Sequence, residues 1–185
     1  AISCMEGERD PRCLIQCFKL VVAFYACFPA AVPMFAERIY DITACYFPLS
    51  FVPPPNDPYG IKPEELSQSL EDALCGHESL LEFVVPFFID KLSSTVVLAK
   101  VTCARPMLAC SLAGGLLMLL LWSDCACRQQ DSLKGLYRCV TKYDVEHFSA
   151  HMEALARELY LNATGGANSE ITDMANKVIT ALGKQ

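Results

Sequence analysis

Apolar residues return every three or four positions in one short run after another, and that period limits what the chain can fold into. Leu14, Cys17, Phe18, Val21, Val22 and Tyr25 form the first stripe. Pro11 follows Asp10 at its head, a favourable start because the N–H that proline lacks is unpaired in a first turn anyway. The run closes near Phe28–Pro29. A second helix is expected over Pro33–Tyr46, with Phe35, Ile39, Ile42, Thr43 and Tyr46 on one side and Glu37, Arg38 and Asp41 largely outside that stripe. A helix with one apolar face must bury it against a neighbour, and two such helices on a short link are expected to form an antiparallel pair.

The stretch from Phe47 to Ile61 breaks the period. Pro53, Pro54 and Pro55 lock an extended strut, and Asn56-Asp57-Pro58 with Gly60 supplies turn chemistry. Pro63 restarts a helix, with Glu64 and Glu65 in the first turn, where the helix dipole favours negative charge. It continues through Leu66, Leu70, Ala73 and Leu74 to Gly76, which stands where a C-terminal cap is expected. Further helices are expected over Glu78–Leu92 (kinked at Pro86), Ser132–Lys142, Val145–Leu161 and Ser169–Leu182. No strand alternation appears. The expected fold is therefore all-α, a HEAT-like α-α solenoid of about three repeats built from antiparallel helix pairs.

One segment does not fit the repeat. Val85–Leu92 followed by Thr95–Ala99 parallels Leu155–Leu161 followed by Ile171–Ala175. Yet the interval from Ala99 to Ala175 far exceeds a HEAT unit, which spans about 40–47 residues. Between them sits Val101–Gln129, including the uncharged run Pro106–Trp122. Removing 101–129 shortens the interval to about 47, inside the HEAT range. The same removal brings Val96, Ala99, Leu133, Leu136 and Val140 onto one helical face. The expected organisation is one array made of residues 1–100 and 130–185, with 101–129 as an apolar insert. Valine codons begin with GT and glutamine can be CAG, so an in-frame retained intron is one origin for it. A real surface loop or hairpin is another. A membrane span is the third, although the run is slightly short for the ~20 residues a bilayer needs.

Composition excludes some functions. The 185 residues carry a net charge of -6 without a basic cluster, so direct nucleic-acid binding is not expected. The 11 cysteines are odd in number and hold no C-x-x-C. Cys13, Cys17, Cys27, Cys45, Cys75 and Cys139 fall inside apolar helical runs, where reduced cysteine acts as a small hydrophobe; a reduced, intracellular chain is expected. Residues 1–10 lack the pattern of a secretory leader, and Ala1 stands where methionine would begin a whole protein, so a fragment is expected.

Candidate chemistry is sparse. His147 and His151 stand one α-helical turn apart, but Phe148 occupies the place of the zincin glutamate and Ala150 breaks the inverted order, so a solvated face is expected rather than a metal site. Metal analysis of the purified chain tests the small metalloenzyme that these two histidines would otherwise suggest. Cys13 and Cys17 share a face with no histidine or acid to complete a ligand set. Asn162-Ala-Thr164 matches a glycosylation acceptor but is expected to stay bare without a leader. No nucleophile elbow and no phosphate loop occur, so neither catalysis nor a cofactor is expected. The best candidate surface is the proline loop: Phe47, Phe51, Pro53, Pro54, Pro55, Asn56, Asp57 and Tyr59. Either Tyr46, Phe47, Phe51 and Pro53 strap the first repeat to the second, or Pro53–Tyr59 offers a partner a rigid strut that loses little entropy on docking.

At this loop the chain resembles a known family. Ile42-Thr-Ala-Cys-Tyr-Phe-Pro-Leu-Ser-Phe-Val-Pro-Pro-Pro-Asn-Asp-Pro-Tyr-Gly-Ile61 is similar to a signature near the N-terminus of the MMS-nineteen family. So are Glu6–Leu14 upstream and Leu70, Glu82–Leu92 and Ala99-Lys100 downstream. The family pattern then runs directly into an aspartate-serine-leucine, here Asp131-Ser132-Leu133, and the resemblance covers everything but the insert. It implies a large HEAT-repeat scaffold, not known as an enzyme, of cytosolic iron–sulfur protein assembly, present in cytoplasm and nucleus. Full-length members act in a targeting complex with a WD-repeat propeller and a small adaptor, handing clusters to apo-proteins such as DNA helicases, polymerases and primase. The adaptor contacts lie mainly towards the family's C-terminal end, so a short N-terminal piece is expected to fold yet lack part of the activity. The rival expectation is a membrane-associated helical protein anchored through Pro106–Trp122.

Overall fold

The computed structural model describes residues 5–49, 51–53, 60–103, 128–164 and 168–184, with side chains described outside 94–103. The described residues are helical and contain no strand, as the period requires. They fall into two compact units, Ala1–Val84 and Val85–Gln185.

In the first unit α1 spans Pro11–Cys27 and is capped by the Asp10 carboxylate, which accepts the Arg12 backbone N–H at 2.9 Å. Leu14, Ile15, Phe18, Val21 and Tyr25 are buried. Proline at 29 cannot continue the helix, and a short 3-10 turn, Pro29–Ala31, leads into α2, Val32–Ala44. The chain bends by 100° there. That is a corner, not the expected antiparallel hairpin: Pro29 stops α1, and the 3-10 turn that follows hands the chain to α2 at this angle. On α2 the buried residues are Val32, Ala36, Ile39, Ile42 and Thr43, so Phe35 stands one position out of phase and is exposed.

The main partner of α1 is α3, Pro63–Leu74, which buries Leu66, Leu70, Ala73 and Leu74. Two contacts fix their direction. The Lys19 ammonium meets the Glu65 carboxylate at 3.5 Å, and the Tyr25 hydroxyl donates to the Ala73 carbonyl at 2.7 Å. The sequence separations are 46 and 48, and a nearly constant offset means helices running the same way. Meanwhile α2 packs on the 3-10 turn Glu78–Leu80, which leads into α4, Leu81–Cys103. Alternate elements thus stack in two layers, the arrangement of an α-solenoid, and the offset is close to a HEAT period of about 40–47 residues.

Helix α4 holds Pro86 in its second turn and does not end at Leu92 as expected; it runs on to Cys103. The Ser93 hydroxyl donates to the Asp90 carbonyl at 3.1 Å, a back-bond that lets serine sit inside a helix. In the second unit α5 covers residues 128–142 and buries Ser132, Leu133, Leu136, Cys139 and Val140. The expected helix Val145–Leu161 is divided: a 3-10 segment, Val145–His151, precedes α6, Met152–Thr164. The last helix, α7, spans Ser169–Leu182 as expected, capped by the Asn168 side chain, and packs on α6. Gln130 of α5 reaches Glu170 of α7 at 3.4 Å across a sequence separation of 40.

Among the described residues no single helix is long and apolar enough to cross a membrane; α1 and Pro29–Ala44 pass together only as the bent pair. Residues 101–103 end α4 and 128–129 open α5, while the rest of the expected insert, Pro106–Trp122 included, lies outside the described residues.

Candidate interaction surfaces

Phe47 is buried, and Phe51 and Pro53 are half-buried; Pro54, Pro55, Asn56, Asp57 and Tyr59 lie outside the described residues. Beside the loop, the Tyr46 ring meets Phe18 edge-on at 5.8 Å, and its hydroxyl donates to the Met5 carbonyl. Burial pushes that hydroxyl's pKa up. Tyr46 therefore ties the segment before α1 to the end of α2. Val52, between the two half-buried residues, is 85% exposed and open to a partner.

A larger surface lies at the corner between α1 and α2. Phe24 contacts Phe28 at 5.7 Å and, edge-on, Phe35 at 6.2 Å. Phe28 is 60% exposed and Met34 81%, with Leu20 and Phe35 also exposed. Along α1 the stripe Cys13, Cys17, Leu20, Phe24 and Cys27 repeats at alternating spacings of four and three, separate from the buried Leu14, Phe18, Val21 and Tyr25. That spacing is the seam on which a second helix packs. The whole run from Leu20 to Ala36 carries no charged side chain. The charge before it, Lys19, already faces Glu65. Apart from the thiols of Cys13, Cys17 and Cys27 along α1, what the surface offers is aromatic area for a partner to dehydrate.

Sequence reasoning put Cys17 in the apolar stripe of the first helix and Phe35 in that of the second, and missed the corner formed with Leu20, Phe24, Phe28 and Met34. The available signal was a surplus: the uncharged run Leu20–Ala36 holds more apolar area than one face of two short helices can hide. The cysteines follow the same rule. Cys75 and Cys139 are buried, Cys17 is half-buried, and Cys13, Cys27 and Cys45 are exposed although they too fall in apolar runs.

His147 and His151 are not brought together on one face. The backbone from Val145 to His151 is 3-10, with three residues per turn, so residues four apart point about 120° apart. Phe148, between them, is fully buried and sets the orientation of the turn. Among the described residues no group of three metal-ligating side chains occurs. Asn162 is buried, its amide donating to the Glu158 carbonyl at 2.7 Å, which commits it to the helix.

Comparison with known proteins places these surfaces in a family. The N-terminal MMS19 family model, described as a Dos2-interacting transcription regulator of RNA-Pol-II, matches residues 1–115. The MMS19 nucleotide excision repair protein homologs of Mus musculus and Homo sapiens are each 39% identical over 109 residues, covering 59% of this chain and 10% of theirs. The MMS19 nucleotide excision repair protein of Drosophila melanogaster is 29% identical over 185 residues, 98% of this chain and 16% of that protein. The chain thus spans about a tenth of the length of the mammalian relatives it matches.

Proposed function

The chain belongs to the MMS19 family, and from that premise we propose that it is a non-catalytic protein-interaction scaffold. In this reading it is the N-terminal part of a cytosolic iron–sulfur assembly targeting component, working in cytoplasm and nucleus, that helps deliver clusters to DNA-repair and replication apo-proteins. The observation that carries the proposal is the uncharged aromatic corner of Leu20, Phe24, Phe28, Met34 and Phe35, a partner surface with no catalytic group on it. Layered helices support it, because a stacked solenoid displays broad side faces for protein binding. The proline loop, with Val52 exposed after the end of α2, is the second contact in the proposal.

The test immobilises this chain and measures binding of the WD-repeat partner and of an apo-helicase client. Wild-type chain is expected to bind at least one. The double variant Phe28→Ser, Phe35→Ser is expected to weaken that binding about tenfold or more, as loss of aromatic anchors does, with an unchanged helical circular dichroism spectrum. Binding of neither protein, or equal binding by the variant, defeats the proposal.

The same reading keeps 101–129 as an insert within one array. The starts of α4 and α6, Leu81 and Met152, lie well beyond one repeat from each other. Without 101–129 that interval falls to about 42, within the HEAT period. It then matches the separation of 40 between Gln130 and Glu170. Sequencing the transcript across Lys100–Gln130 decides whether the insert is a retained intron. Carbonate extraction with and without 101–129 tests the membrane anchor.

A further inference from the structure

Helices α5 and α7 touch at their beginnings, through Gln130 and Glu170, and leave a groove between their later turns. Its volume is about 620 Å³. Val140 and Ala181 form the floor, and Tyr137 stands at its rim, 37% exposed.

The wall of this groove is rich in hydrogen-bond donors. The Thr141 hydroxyl donates to the Tyr137 carbonyl at 2.8 Å and the Thr180 hydroxyl to the Asn176 carbonyl at 2.7 Å, so both hydroxyl protons are spent inside their own helices. What remains to donate is the Lys177 and Lys184 ammonium groups, the Asn176 amide and the Tyr137 phenol. Among the described residues neither lysine has an acidic partner. Two uncommitted lysines in one groove stand out in a chain of net charge -6. The single carboxylate, Asp173, sits one turn before Lys177, so the positive end of the groove is the Lys177–Lys184 end.

We propose that the α5–α7 groove binds an acidic segment of a partner protein, with two carboxylates seated on Lys177 and Lys184 and an apolar side chain on Val140 and Ala181. The inference rests on the scaffold reading above and names the partner chemistry for this one face. Lys184 follows Lys177 by seven positions, just past the end of α7 at Leu182, and a partner helix sets glutamates seven apart about 10 Å from each other. A small anion would meet one lysine and leave the floor wet; a peptide uses both.

The test titrates the full, nitrogen-15-labelled chain with a short helical alanine–leucine peptide bearing glutamates seven positions apart, and with its glutamine counterpart. The glutamate peptide is expected to shift amides of α5 and α7 only, with binding that weakens as salt rises. Lys177→Glu with Lys184→Glu is expected to lower the affinity about tenfold or more. The double arginine variant keeps it, Asp173→Asn raises it, and Lys62→Glu leaves it unchanged. The proposal is overturned if the glutamine peptide binds equally, if single-stranded DNA displaces the peptide at equal concentration, or if the double glutamate variant binds as well as wild type. Those failures leave the Phe28/Phe35 result untouched, so this groove and the scaffold reading stand or fall separately.

Discussion

Gly135 lacks a side chain because the Phe88 ring occupies the space where one would start. An added Cβ would lie 2.4 Å from Phe88 Cζ, and Phe88 is fully buried. Alanine is the better helix former by about 1 kcal/mol, but overpacking costs about 1–3 kcal/mol. With no room for the ring to swing, the second effect wins. Gly135→Ala is expected to lose up to about 2 kcal/mol in urea unfolding, and less in a Phe88→Leu background, where the edge of the ring is gone. Gly76 follows the same logic: its Cβ would meet the Tyr25 ring at 2.5 Å, so it answers a close approach and not the C-terminal cap the sequence implies. Tyr25 also satisfies a carbonyl in the last turn of α3, and Tyr25→Phe should cost about 1–2 kcal/mol by leaving that buried acceptor without a donor. Asp10 titrates differently from a free aspartate. The Arg12 side chain first, and its backbone N–H second, hold the carboxyl at about 2. A depressed folded value means that the cap's contribution is complete above the ordinary aspartate range and is lost as pH falls through about 2. A carbon-detected titration of Asp10 should show its midpoint there; a midpoint near 4 would mean that the Arg12 contacts do not hold the charge.

At the scale of the element, local signals and tertiary ones separate cleanly. The starts of α1 and α3 were legible because Pro11 and Pro63 act within one turn of their own position. The cap at Asn168, which accepts the Glu170 N–H at 2.9 Å, should be worth about 1 kcal/mol. Asn168→Ala is expected to lose that in thermal unfolding, while Asn168→Asp, better matched to the helix dipole, keeps it. Partner choice was not legible. Nothing within Leu14–Tyr25 says that α1 packs chiefly on α3 and not on α2, because that depends on a contact between Tyr25 and Ala73 across the proline loop. The phase of α2 failed for a related reason. Phe35 is the larger hydrophobe, yet Ala36 takes the buried place because the ring reaches Phe24 at the corner. The candidate site was legible only as a loop: Pro53 to Pro55 announce rigidity, whereas an exposed aromatic corner is visible only once the fold has decided which apolar residues go unburied.

At the scale of the whole molecule, stacked helices hold their neighbours and little else, so stability is a sum of adjacent contacts. Removing 101–129 is therefore expected to leave α1–α3 and α6–α7 protected against hydrogen exchange, with the deletion variant keeping its helical signal per residue. Loss of protection in either group would show that the segment belongs to the fold and is not an insert. Both groups contain helix pairs in close mutual contact, α1 with α3 and α6 with α7, so each can report its own protection.

The ring cluster of Phe24, Phe28 and Phe35 carries a practical consequence for anyone heating this protein in a fluorescent dye. Dyes of the anilinonaphthalene kind brighten on wet aromatic area, and here such area is present before anything melts. The cold, native sample should already glow, and the glow should fall with Phe28→Ser. Read naively, that bright baseline would mimic a molten globule while the helices around the corner are still packed.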